Sequence, residues 1–131
     1  MSRENVEVVR ASFEPWNAGD MEAYRDLYDP RAVLRTPEGW PEPGPYFGRE
    51  AVMRELQHMR SAWDTTGAEV ISDFIDVADR VAVRFILRGV GQGPDVAQEM
   101  TALFTVRKGK ILALEAFWDH AEVLGFLGLA E

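Results

Sequence analysis

A chain of 131 residues, 47% of them hydrophobic, can bury one core and is too apolar for intrinsic disorder. Its net charge of -8 excludes a basic nucleic-acid-binding surface and opposes docking on an anionic membrane. It has no cysteine, hence no disulfide or thiolate metal site, and no apolar run approaches the roughly 20 residues that span a bilayer.

The opening MSRENVEVVR lacks the apolar stretch of a signal peptide, so a cytoplasmic location is expected. Val6, Val9, Phe13 and Trp16 recur at helical steps and predict a helix over residues 2–16. Asn17-Ala18-Gly19 stops it, and Asp20 caps a short second helix carrying Met21, Tyr24, Leu27 and Tyr28. Asp29-Pro30 breaks that helix. Residues 32–36 read as a short strand, ended by Pro37. Residues 37–48 hold four of the seven prolines, so this loop is stiff and extended. It carries Trp40, Tyr46 and Phe47, and reads either as a lid over a pocket or as a strap lying on the body of the fold.

Gly48 opens a long helix predicted to reach Trp63, with Val52, Leu56, Met59 and Trp63 on one stripe. After a turn at residues 64–67, alternating runs occupy residues 69–77, 80–90, 97–107 and 110–118. The short breaks between them, Lys108-Gly109 among them, predict hairpins and an antiparallel sheet. Asp119, followed three residues on by Glu122, starts a last short helix whose apolar face is expected to close one end of the sheet.

Alternation assigns the strand faces. Met100, Ala102, Phe104 and Val106 share one face. So do Leu112, Leu114, Ala116 and Trp118, with His120 next if the strand runs that far. These apolar sets are expected to be concave, and the mixed set Glu99, Thr101, Leu103 and Thr105 convex.

The element order resembles the nuclear transport factor two-like superfamily, and more closely its SnoaL-like group. The residues carrying the resemblance are Asn17-Ala18-Gly19-Asp20, Thr36-Pro37-Glu38-Gly39-Trp40-Pro41, Gly48-Arg49-Glu50-Ala51-Val52, Arg88-Gly89-Val90-Gly91 and Gly109-Lys110-Ile111. It implies one α+β domain over residues 1–131: a curved antiparallel β-sheet cone wrapped around N-terminal helices, with a short C-terminal helix. It also implies a homodimer through the convex face.

Within that frame the expected ligand pocket comprises Trp16, Thr36, Trp40, Met59, Trp63, Phe104, Ala116 and Trp118. Each has an ordinary alternative as core. Ketosteroid isomerase chemistry does not fit, because Thr36 stands where the resemblance places the carboxylate base and cannot abstract a carbon-bound proton. His120 and Glu38 are the candidates for proton transfer, with Asp119 read first as a helix cap. Arg84, Asp73 and Arg35 are the nearest candidates for an epoxide-hydrolase network, and parity with Ala82, Ile86 and Arg88 assigns Arg84 to solvent or a dimer partner. The glycines at residues 89–93 lie between strands, which makes them turn residues. His58 and His120 have no metal-ligand spacing, and no metal or cofactor is expected. Two functions stay open. One is a cofactor-independent cyclase, isomerase or hydrolase acting on a polyketide- or terpene-like substrate. The other is a non-catalytic binding or carrier domain for a small apolar molecule.

Overall fold

The structure, a computed structural model, describes residues 2–129. Helix α1 (Ser2–Ala18) turns Val9 and Trp16 into the core, with Val6 and Phe13 packed beside them. Its end is set by Gly19, whose φ of 76° lets Gly19 and Asp20 donate backward to Trp16 and Pro15. The Asp20 side chain then accepts from the Ala23 amide and starts α2 (Met21–Arg25). This helix is shorter than its apolar spacing predicts. Tyr28 belongs instead to strand β1 (Tyr28–Arg35), which absorbs Asp29-Pro30 at a register irregularity.

The loop after β1 contains a short strand that its prolines concealed. Strand β2 (Tyr46–Phe47) pairs antiparallel with β1, Leu34 opposite Tyr46. Helix α3 (Arg49–Arg60) follows and stops three residues earlier than expected. The next predicted strand divides into β3 (Thr65–Val70) and β4 (Ile75–Val77). Residues 64–67, expected as a turn, give β3 its first three positions. Strands β5 (Arg80–Val90), β6 (Val96–Arg107) and β7 (Lys110–Phe117) lie where alternation places them. Lys108 and Gly109, with φ of 53° and 76°, make the tight β6–β7 connection. Helix α4 (His120–Phe126) begins at Asp119, whose side chain accepts from the Ala121 amide.

The sheet order is β2-β1-β7-β6-β5-β3, with β4 also pairing β5. It is mixed rather than wholly antiparallel, because β1 runs parallel to β7, Leu34 opposite Leu114. That pairing joins distant segments, which local hairpin signals cannot reveal. Val81, Val83 and Leu87 of β5 and Met100, Ala102, Phe104 and Val106 of β6 face inward onto α1 and α3 as one core. On β7 a bulge shifts the alternation, so buried Ile111 takes the inward place expected of Leu112, ahead of Leu114 and Ala116. Helix α4 does not close an end. It lies behind the sheet, where Val123 and Leu127 pack on Ala82 and Leu103. Among the described residues, no helix is long and apolar enough to cross a membrane.

Candidate functional site

The inner face of the sheet and the helices enclose a cavity of about 100 Å³. Helix α1 supplies Ser12, Phe13 and Trp16, and α2 supplies Tyr24. Helix α3 supplies Glu55, Leu56 and Met59. The sheet contributes Leu34, Phe85, Leu87, Met100, Ala102, Phe104, Leu114 and Ala116. Thr36, Pro37 and Trp40 complete the wall from the proline-rich loop. Phe13 meets Phe85 and Phe104 edge-on, with centroids 6.2 and 6.4 Å apart. The Arg60 guanidinium lies 4.5 Å over the Trp16 ring and donates to the Trp16 carbonyl, which holds the indole in place.

Six of the eight expected pocket residues line this cavity: Trp16, Thr36, Trp40, Met59, Phe104 and Ala116. Trp63 does not. With α3 ending at Arg60, Trp63 leaves the helical stripe and lies over Gly89, in a shallow outer groove with Arg60 and Asp64. Trp118 does not either. Strand β7 stops at Phe117, and the half-exposed Trp118 indole donates to the Glu38 carbonyl at 2.8 Å. Its ring lies 6.1 Å from that of Trp40. Trp118 thus ties the proline-rich loop to the sheet.

Neither expected proton-transfer group reaches the cavity. Glu38 is exposed, and its backbone carbonyl rather than its carboxylate meets Trp118. His120 sits behind the sheet, where its Nδ1 lies 3.1 Å from the Thr101 hydroxyl. The reason is the strand end at Phe117: alternation no longer governs residue 120, and Thr101 belongs to the convex set. Burial, and then the positive Arg84, hold the His120 pKa below its usual 6.5, partly offset by Glu99 and Asp119.

Four polar side chains line the otherwise apolar wall. Ser12 donates to the Val9 carbonyl at 2.6 Å, within its own helix. Thr36 accepts from the Gly44 amide at 3.0 Å, which pins the loop to the end of β1. Tyr24 and the fully buried Tyr28 share a hydrogen bond of 2.6 Å between their hydroxyls. Burial pushes the Tyr24 phenol up to about 12 and raises Tyr28 well above its usual range. Glu55 is the fourth, only 8% exposed, and none of the ion pairs among the described residues includes it. It interacts with the Tyr46 phenol, which burial and then the Glu55 charge both raise.

Glu55 and Tyr24 escaped the sequence reading. Yet Glu55 falls three residues after Val52 and four before Met59, on the apolar stripe of α3. A lone carboxyl on such a stripe is the signal that marks it. Among the described residues, no group of three or more His, Asp or Glu side chains could hold a metal ion.

A family model described as the SnoaL-like domain matches residues 9–114. Among solved structures, Bal32a from a soil-derived mobile gene cassette superposes with a TM-score of 0.80 at 22% identity, over 88% of each chain. TerC, co-crystallised with polyporic acid, gives 0.77 at 21% identity, over 95% of this chain and 98% of its own. A protein from Jannaschia sp. CCS1, named as a candidate SnoaL-like polyketide cyclase, gives 0.76 at 19%, over 99% and 95%. At these identities the likeness is one of fold. No protein of curated function matches the chain.

Proposed function

We propose that this chain, which belongs to the SnoaL-like domain family, binds a small apolar molecule in its cone and moves protons on it without a cofactor. The observation that carries the reading is Glu55, a buried carboxyl on the wall of an aromatic-rich cavity. A carboxyl on an apolar wall can serve as a proton-transfer group, and the Tyr24 phenol lining the same cavity supplies a hydrogen bond to developing charge. Glu55 therefore replaces His120 and Glu38 as the favoured acid–base group. A polyketide- or terpene-like substrate suits the apolar wall, and the co-crystallisation of TerC with polyporic acid supports a small-molecule ligand.

Volume constrains the size. A cavity of about 150 Å³ accommodates benzene, so about 100 Å³ favours a single small ring. The reading also includes a homodimer, supported by the half-exposed apolar side chains Phe126 and Leu129 on the convex side.

A second reading, a carrier without chemistry, is favoured by the scarcity of polar groups on the wall. A thermal-shift screen of one-ring ketones, epoxides and lactones, followed by turnover assays on the hits, separates the two. The expected result is turnover that falls at least about 100-fold in Glu55→Gln, with ligand affinity changed by less than about threefold. Binding with no turnover of any hit supports the carrier, and turnover that survives Glu55→Gln removes Glu55 from the chemistry.

A further inference from the structure

The two buried phenols contain one proton more than their shared hydrogen bond uses. Tyr24 and Tyr28 are both neutral at physiological pH, since burial raises both well above it. Two neutral phenols carry two O–H groups. One spans the 2.6 Å between their oxygens, and the other has no acceptor among the described residues.

Burial decides which phenol keeps the spare proton. Tyr28 is 0% exposed and does not line the cavity. If Tyr24 donated to Tyr28, the unmet O–H would be sealed in the core at the full cost of its desolvation. If Tyr28 donates to Tyr24, the unmet O–H belongs to Tyr24, a residue that lines the cavity. The second arrangement leaves the donor where a bound molecule can satisfy it. Trp16, whose ring lies 5.2 Å from that of Tyr24, lines the same cavity, so an apolar body would surround the polar contact.

We propose that the cavity selects ligands bearing an uncharged oxygen acceptor — a carbonyl, ether or epoxide — and that Tyr24, oriented by Tyr28, donates to that oxygen. This deepens the proposed function and rests on the cavity being a ligand site. It does not depend on Glu55 or on turnover. Tyr24 is the contact residue, and Tyr28 is a positioning residue that acts through it.

The test pairs cyclopentanone with methylenecyclopentane, which replaces the carbonyl oxygen with a methylene group of similar shape. Affinities are measured for both by NMR titration in wild type, Tyr24→Phe and Tyr28→Phe. Only the ratio of ketone to alkene affinity is compared, because the two differ in hydration. The expected result is a ratio about five- to tenfold lower in Tyr24→Phe. The infrared carbonyl stretch of bound ketone should be lowered in wild type, restored to its hydrocarbon-solvent position in Tyr24→Phe and intermediate in Tyr28→Phe. Binding of both ligands with an unchanged ratio overturns this inference alone. An unshifted stretch in wild type does the same, even if the variants fail to fold. Failure of both ligands to bind wild type overturns the ligand site itself, and this inference with it.

Discussion

His120 shows how a side chain suited to proton transfer can be placed away from the cavity. As the only histidine beside an acid in the C-terminal half, it reads as a proton shuttle. In the fold it opens α4 behind the sheet, its Nδ1 beside the Thr101 hydroxyl, with Arg84, Glu99 and Asp119 as its charged surroundings. Its depressed pKa has a definite stability consequence. Between the folded value and the usual 6.5, the unfolded chain binds more protons than the folded one. Stability therefore rises with pH through that window and is lost as pH falls through it. His120→Gln removes this contribution. Melting temperatures of wild type and variant should keep a constant gap above about pH 7.5 and converge or cross as pH falls through about 6.5 toward 5. Parallel curves across that range would show that His120 is solvated alike in both states. Glu55 is the opposite case. It hid inside an amphipathic pattern because a single polar residue barely disturbs the period.

At the scale of elements, the connection from α3 into the sheet depends on one missing Cβ. Trp63 lies against buried Gly89, at the end of the register that joins β5 to β6 and one pair from the end of its register with β3. A Cβ built on Gly89 would sit 2.3 Å from the indole, far inside van der Waals contact. Gly89→Ala should therefore cost about 1–3 kcal/mol in urea unfolding. Adding Trp63→Ala should recover part of that loss, because the two residues share one contact. A single-variant cost below about 0.5 kcal/mol would mean that Trp63 moves aside freely. Gly89 was legible as a turn signal and Trp63 as a helical stripe residue, and both readings missed the pairing. Sequence periodicity reports which face a residue takes within its own element. It carries no information on what faces it across 26 residues. The same limit explains Trp118, whose partner is the Glu38 carbonyl 80 residues away, and the β1–β7 parallel pairing.

For the whole molecule, the long local patterns were readable: three hairpin-linked strands, two amphipathic helices and an apolar concave face. Their assembly into one open mixed sheet was not, beyond the family likeness, because β2 is two residues long, β1 pairs with distant β7 and α4 lies behind the sheet. The position of α4 bears on the proposed homodimer. Val123 and Leu127 already cover Ala82 and Leu103, so a second copy has to use what remains. That is the far half of β5 and β6, with Arg84, Ile86, Arg88 and Glu99, bordered by Phe126 at 53% exposure. Arg84 is already paired with Glu99, and Arg88 with Glu69, so these charges are not free to bind a partner strongly. Association would then be driven by apolar burial and opposed by the -8 charge of each copy. Salt screens that repulsion over a Debye length of about 10 Å at 0.1 M. The sign follows: the dimer dissociation constant should fall as NaCl rises from about 20 to about 300 mM. Phe126→Ser should raise the constant at every salt concentration by removing apolar contact. Sedimentation equilibrium measures both effects. Weakening by salt would point to an interface of complementary charge elsewhere on the surface. A monomer at all salt concentrations up to about 100 μM, a level at which a standard-sized interface is populated, would remove the dimer from the reading.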